Sequence, residues 1–400
     1  MTETNRRAPL SADPLPASGA WRSGDPVGDR KFVDVAPGRS FSLEGGGRLV
    51  GAQIAYETWG QLNDEKTNAI LVCHALTGDS HAAGDLGHGH PTPGWWDELI
   101  GPKKAIDTDR YFVVCSNVLG GCQGSTGPAS IDPQTQKPYG ANFPVVTIRD
   151  MVRAQNALAE SLGIEKWHSV IGGSMGGMQV LEWAVMYPDR VRSIIPIATC
   201  AAASAFQIAQ SAVQRSAIVF DPNWRNGDYY DAPAGQGPTN GLAVARGAAQ
   251  ISYRSDAAYT RKFGRSEHDQ MDNGFTLWQR FGVENYLDYQ GAKLARRFDA
   301  NTYLVINRAM DLHDIGRGRG GVARALARVK APVLGMTITS DTLYPTVQQV
   351  ELHEGIVAAG GSSQLNVIHS DEGHDAFLID FDQVAAYITP FLHEIENAHG

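Results

Sequence analysis

Long apolar runs are missing from this sequence. Nothing approaches the roughly 18 consecutive apolar residues of a membrane-spanning helix, and residues 2–30 are polar, without the apolar centre of a secretory signal. No membrane partner is expected. Cysteine is scarce, with 4 in 400 residues and no Cys-x-x-Cys pair. Cys73, Cys115, Cys122 and Cys200 lie in or beside apolar segments, which points to free thiols in a reducing compartment and so to a cytoplasmic location, not to a disulfide framework. Positive charge is also short: Lys and Arg number 34 against 43 Asp and Glu, a formal net charge of −9. Nucleic-acid binders carry a basic excess or stripe, so no nucleic-acid partner is expected. The glycine-rich residues 120–127 lack the Gly-Lys-Ser/Thr ending of a phosphate-binding loop and are not G-x-G-x-x-G, which leaves no reason to expect a nucleoside triphosphate. No internal repeat or low-complexity tract is evident.

What is present suits a large buried core: 42% apolar and 19% charged residues over a length that fits one α/β core plus one elaboration. The most informative stretch is Val170-Ile171-Gly172-Gly173-Ser174-Met175-Gly176-Gly177. Gly172-x-Ser174-x-Gly176 is the nucleophile-elbow pattern, in which small residues let the backbone turn sharply and hold a serine hydroxyl over the edge of a sheet. An ordinary glycine-rich turn would share the pattern but not its context. Here an apolar strand through Ile171 precedes the serine, and apolar residues at helical spacing, Met178, Leu181, Trp183, Ala184 and Met186, follow it.

In chain order, residues 1–30 show no periodicity and read as a disordered leader. Residues 31–59 read as an antiparallel meander at a sheet edge. Apolar runs from Asn68 and from Tyr111 read as parallel strands buried on both faces, ending in polar, glycine-bearing loops. A helix is expected over 147–162, and another buried strand over 191–199. From residue 201 to 321 the texture becomes Ala-rich and helical without strands, as in an insertion sitting on the sheet. Strand and helix patterns then resume: strand 333–338, helix 347–359, strand 365–368 and a closing helix 381–395. The fold class is therefore α/β, an α/β-hydrolase fold with a mostly parallel sheet, a core of residues 31–200 and 322–400 and an inserted helical lid of residues 201–321.

A serine is inert near neutral pH without a base, and the base needs an acid to hold its tautomer. Asp341 follows the strand ending at Ile338, and His374 follows the 365–368 strand in Glu372-Gly373-His374-Asp375. Ser174, Asp341, His374 is the chain order of an α/β-hydrolase. His369 is the reserve base, and Asp341 equally suits a helix N-cap. The oxyanion donors expected by the same positional rule are the backbone N–H groups of Met175 and Leu76. His74, His81, His88 and His90, with Asp79 and Asp85 between them, are loosely spaced and glycine-separated, so no metal is expected. For residues 120–127 a close approach to the serine is expected. Arg317-Gly-Arg-Gly-Gly321 fits a solvated turn or a phosphate contact.

Several long motifs together resemble the homoserine O-acetyltransferase family: Cys73-His-Ala-Leu-Thr-Gly-Asp-Ser-His81, Pro93-Gly-Trp-Trp96, Asn117-Val-Leu-Gly-Gly-Cys-Gln-Gly-Ser-Thr-Gly-Pro128, Gly172-Gly-Ser-Met-Gly-Gly177, Thr339-Ser-Asp341 and Gly373-His-Asp-Ala-Phe377. The resemblance spans residues 40–395. It implies transfer of an acetyl group from acetyl-CoA, a co-substrate and not a bound cofactor, to the hydroxyl of L-homoserine through an acyl ester on Ser174, an activation step toward methionine. It further implies that Arg246 and Asp375 hold the carboxylate and ammonium of the amino acid, and that two chains pair as a homodimer through the lid. Succinyl-CoA as donor, or serine as acceptor, is the nearest alternative. Thr342-Leu-Tyr-Pro345 beside Asp341 brings no positive charge for a second carboxylate, which favours the acetyl branch. A water-using esterase and a binding protein with a vestigial triad are the alternatives from other classes.

Overall fold

The computed structural model describes residues 10–87, 89–266 and 280–399. Its strands are β1 (Lys31–Asp34), β2 (Ser40–Ser42), β3 (Arg48–Val50), β4 (Gln53–Trp59), β5 (Ala69–Cys73), β6 (Ile100–Gly101), β7 (Ile106–Asp107), β8 (Phe112–Ser116), β9 (Ser169–Gly173), β10 (Ile194–Ile197), β11 (Val333–Ile338) and β12 (Ser363–Ile368). The helices are α1 (Ile148–Ser161), α2 (Met175–Met186), α3 (Ala205–Val219), α4 (Thr239–Tyr253), α5 (Asp256–Phe263), α6 (Gly282–Ala295), α7 (Ala300–Asp311), α8 (Val322–Leu326), α9 (Thr346–Ala358) and α10 (Phe381–His399).

The main sheet runs β1-β4-β8-β5-β9-β10-β11-β12, antiparallel at the β1/β4 and β4/β8 pairs and parallel from β8 onward. β5, β9, β10 and β11 are buried along their whole length because their side chains are apolar on both faces and helices cover both. Pairing in register (Cys73 with Gly172, Gly173 with Ile197, Ile338 with Ile368) brings the carboxyl ends of β5, β9, β11 and β12 to one edge. Functional loops of such sheets gather there.

Two helices carry the elbow. α1 starts where Thr147 and Asp150 cap each other, the side chain of each accepting the other's backbone N–H. α2 is apolar on nearly every side and is buried accordingly. A buried amide relay joins the two: Gln155 Nε2 donates to Gln179 Oε1 at 2.7 Å, and Trp183 Nε1 donates to Gln155 Oε1 at 2.8 Å.

Between β10 and α8 the regular elements are helices, and α5, not anticipated from the pattern, is among them. The helices rest on a buried carboxylate, Asp299. It accepts from Ser18 Oγ (2.8 Å), Tyr229 OH (2.8 Å), Tyr230 OH (3.0 Å) and the Thr302 backbone N–H (2.9 Å), so its charge is fully hydrogen-bonded.

The expected disorder of the leader is corrected over its described part; residues 1–9 lie outside the described residues. Leu15, Ala17 and Ala20 are buried, and the backbone N–H groups of Gly19 and Trp21 donate to the carbonyls of Phe298 (3.2 Å) and Cys122 (2.9 Å). The segment has no period because it forms almost no regular structure. It is ordered by long-range partners that no local pattern reveals.

Candidate active site

Ser174 stands between β9 and α2 with φ 57° and ψ −123°, a conformation that non-glycine residues rarely hold. The neighbours explain how it persists. A Cβ on Gly176 would collide with the Cys73 carbonyl oxygen, and one on Gly172 with the Gly176 backbone, so only glycine lets β5, β9 and α2 close around the turn. Two hydrogen bonds pin the serine backbone: its N–H donates to the Ile197 carbonyl at 2.9 Å and its carbonyl accepts from Thr199 Oγ1 at 2.9 Å.

Opposite it, Asp341 Oδ2 meets His374 Nδ1 at 2.6 Å, both groups buried. The other carboxylate oxygen accepts the backbone N–H groups of Leu343 (2.9 Å) and Tyr344 (2.8 Å). Asp341 thus orients the histidine and closes the turn through Tyr344, but it is not the helix N-cap that its position also suited, since α9 starts after Pro345. Nδ1 must carry a proton to pair with Asp341, which leaves Nε2 to accept one; that atom is buried without a protein partner. Burial works against charge on His374, but the carboxylates of Asp341 and Asp375 outweigh it and hold the imidazole above its ordinary 6.5. Tyr344 (4.9 Å between ring centroids), Phe377 (5.6 Å) and Tyr253 (5.9 Å) clamp the ring. His369, the reserve base, is instead tied by its backbone to Gln383.

Leu76 and Ser174 line one cavity, and Met175, next to the serine in sequence, is the first residue of α2. Arg246 comes from α4, its guanidinium carbon 5.5 Å from the Tyr253 ring centroid. Burial raises the Asp375 carboxyl above its ordinary value, while the Arg246 and His374 charges pull it back. Arg246 and Asp375 form no direct ion pair; Asp375 accepts from Gln250 Nε2 at 3.4 Å, and both lie near Tyr253, whose ring faces His374. Ion pairs of Arg254 and Arg261 with Glu372 tie the end of α4 and α5 to the His374 loop. Tyr253 and Tyr344 were not singled out from the sequence, because an aromatic in an apolar segment reads as core.

The other candidates resolve differently. His74 Nε2 accepts the Val118 N–H at 3.1 Å, so its Nδ1 donates to the Ala75 carbonyl at 2.9 Å, and the ring is a satisfied neutral core histidine. His88 lies outside the described residues. Glu57, His81 and His90 are the described group whose donor atoms all lie within 4.8 Å, as a metal would need. The geometry fits a buried ion pair better. His81 faces Glu57 Oε2 at 2.9 Å and the Asp85 carbonyl at 3.2 Å, two acceptors for two N–H groups, and His90 stacks parallel on it at 3.7 Å with Nε2 3.6 Å from the same Glu57 oxygen. The glycine-rich loop of residues 120–127 makes its contacts with the sheet edge and neighbouring side chains. Its Gly120 and Gly124 close on Val146, Val305, Ala55 and Phe32, and its Ser125 and Thr126 hydroxyls accept from the β4 backbone at 2.9 Å each. Arg317 and Arg319 pair internally with Glu44 (2.9 Å) and Glu182 (2.7 Å), which favours the turn over a phosphate contact.

Residues 68–380 match the family described as the alpha/beta hydrolase fold. A homoserine O-acetyltransferase of Thermobifida fusca (strain YX) is 54% identical over 95% of this chain and 98% of its own length, and one of Clavibacter michiganensis subsp. michiganensis is 49% identical over 98% and 99%. The chain belongs to the homoserine O-acetyltransferase family. Among solved structures, the family member from Bacillus anthracis superposes with a TM-score of 0.83 at 30% identity, covering 91% of this chain and 97% of that one. Esterase E22 gives the same TM-score at 34% identity, covering 91% and 99%. The family's scaffold is thus shared with a protein named as an esterase. No described helix is long and apolar enough to cross a membrane.

Proposed function

We propose that this protein transfers an acetyl group from acetyl-CoA to the side-chain hydroxyl of L-homoserine. His374 Nε2 takes the Ser174 proton as Oγ attacks the thioester carbonyl. The N–H groups of Met175 and Leu76 receive the oxyanion; the C–S bond breaks, and the coenzyme A sulfur leaves with the proton. Homoserine then gives its hydroxyl proton to His374 and attacks the acetyl ester, and Ser174 recovers its proton as O-acetyl-L-homoserine forms. Asp341 holds the required tautomer throughout. No cofactor enters the sequence, since a thioester is already an activated acyl donor.

The observation that supports this reading over simple hydrolysis is that α4 brings Arg246 to within 5.5 Å of the Tyr253 ring, which itself faces His374 at 5.9 Å, while Asp375 follows His374 directly, so that one cation and one carboxylate stand near the base without being spent on each other. A zwitterion in a largely dry site needs both charges answered, and one arginine with one carboxylate does so. Leu343 and Tyr344 beside Asp341 bring no cation for a succinyl carboxylate. Steady-state rates with acetyl-CoA and succinyl-CoA against homoserine, serine and water test the assignment. Acetyl transfer to homoserine is expected to lead; a preference above about tenfold for succinyl-CoA overturns the donor, and turnover indifferent to homoserine restores the esterase.

A cytoplasmic homodimer through the lid belongs to the same proposal. Phe206, Val213 and Phe220 recur every seventh residue on α3 and its end, 56%, 62% and 81% exposed, and Val244 and Ile251 repeat the spacing on α4. A stripe of this kind is the surface a partner helix covers. Phe220→Glu is expected to turn the dimer into a monomer in light scattering. A wild-type monomer at micromolar concentration counts against the pairing.

A further inference from the structure

The loop after β5, residues 74–81, carries Leu76, which shares a cavity with Ser174. Most of the loop is fastened from the core. The His74 carbonyl accepts from Gln179 Nε2 at 3.3 Å, the Asp79 carbonyl accepts from Trp95 Nε1 at 3.0 Å, and Ser80 Oγ donates to Glu57 Oε1 at 2.7 Å. Thr77, the neighbour of Leu76, is held from the lid instead. Arg297, between α6 and α7, donates from Nη1 to the Thr77 carbonyl at 2.9 Å and from Nη2 to the Thr77 hydroxyl at 3.4 Å. Among the described residues it is the lid side chain that hydrogen-bonds to this loop.

Arg297 is itself fixed. Its backbone carbonyl accepts from Gln123 Nε2 at 2.6 Å, and Gln123 Oε1 accepts from Arg30 at 3.2 Å, the two partners both buried. Both bonds from its guanidinium end on neutral oxygens. Burial works against the charge, which Asp79 answers in part and Arg246 opposes, yet a guanidinium keeps its proton. A sequestered cation bonded to a carbonyl keeps its field for a negative charge that develops nearby. That field reaches the loop: burial, with the Arg297 charge added to it, holds His74 below its ordinary 6.5.

We propose that Arg297 is a positioning residue for the oxyanion site: its two-pronged hold on Thr77 fixes the neighbouring Leu76 N–H, so that the lid completes a site otherwise built from the core. The inference rests on the acyl-serine reading, with Leu76 as the second oxyanion donor. Acetylation of Ser174 and transfer from it both pass through an oxyanion at that place. The hold therefore acts on both half-reactions and on the binding of neither substrate.

The test uses full-length enzyme and an alkyl boronic acid. Its boron accepts Ser174 Oγ: the O–B bond forms, the serine proton passes to His374, no bond to boron breaks, and the anionic tetrahedral adduct sets an oxygen at the oxyanion site. Arg297→Met is expected to weaken this binding about tenfold and to slow Ser174 acetylation by a similar factor, below the roughly 10²–10³ cost of deleting a donor because the N–H is loosened and not removed. The homoserine KM is expected to stay within about twofold, the mark of an interaction made in the transition state. Arg297→Lys keeps the cation but not the fork and is expected to lose about threefold in the same two quantities. Wild-type values in Arg297→Lys overturn the proposal whether or not Arg297→Met folds. A raised homoserine KM with boronic acid binding kept, in either variant, also overturns it and leaves Arg297 a tie of the lid alone. Wild-type enzyme that binds the boronic acid no better than Ser174→Ala overturns the acyl-serine reading itself, and shows it without any variant of Arg297.

Discussion

The sheet half and the lid half of the site are held by different means. Ser174, Asp341 and His374 follow paired parallel strands, and backbone contacts fix the first two: the Ile197 carbonyl for the serine, the Leu343 and Tyr344 N–H groups for the aspartate, which in turn holds His374. Arg246 and Tyr253 sit on a helix with no strand partner. Side chains hold that helix in place: the Arg254 and Arg261 pairs with Glu372, and the hydrogen bond of Gln250 to Asp375 at 3.4 Å. In the proposed reaction the acyl-transfer chemistry falls to the half fixed by backbone, and recognition of the acceptor to the half fixed by side chains. A scaffold shared with esterases can acquire an acceptor in this way without disturbing its nucleophile.

Variants can separate the two halves. The largest effect is expected in the sheet: Ser174→Ala should reduce acetyl transfer about 10⁵-fold with the melting temperature nearly kept, read by steady-state turnover and loss of the acetyl ester in mass spectrometry. Transfer that survives the change would mean that the acyl group never rests on the serine. In the lid, Arg246→Ala should raise the homoserine KM about 10²-fold, the scale of a lost charge-assisted pair, and leave the single-turnover acetylation of Ser174 near its wild-type rate. Slowed acetylation instead would move Arg246 to the donor side and blur the division.

The same division governs what the sequence makes legible. Parallel strands buried on both faces show as apolar runs: β11 is found at residues 333–338 as the pattern predicts, and the glycines of the elbow mark a turn that no side chain could join. Asp341 and His374 follow from chain order. Arg246 and Asp375 do not follow from any pattern; alone, they read as a snorkelling helix cation and a surface acid, and only the family resemblance raised them. Tyr253 carries no local signal, since its contact with His374 depends on how α4 packs against the His374 loop. The described part of the leader is the extreme case: Ser18 binds Asp299 across 281 positions of sequence, and a composition of Pro, Ser, Ala and Gly that reads as disorder is ordered in part by such distant partners.

The smallest predicted effect lies at the seam, where Asp375 belongs to the His374 loop but answers Arg246 in the lid. His374 must be neutral to accept the serine proton, so activity is lost as pH falls through its pKa, and that pKa lies above the ordinary 6.5 because the Asp341 and Asp375 charges overcome the cost of burying the imidazolium. Asp375→Asn removes one of the two charges. The imidazolium is then less favoured, the neutral base persists to lower pH, and the acid limb of Ser174 acetylation by p-nitrophenyl acetate should move downward. Homoserine is left out of the measurement so that lost acceptor binding does not enter it. A limb that stays in place would mean that Asp375 is felt by the acceptor alone, and the two halves of the site would be electrostatically independent.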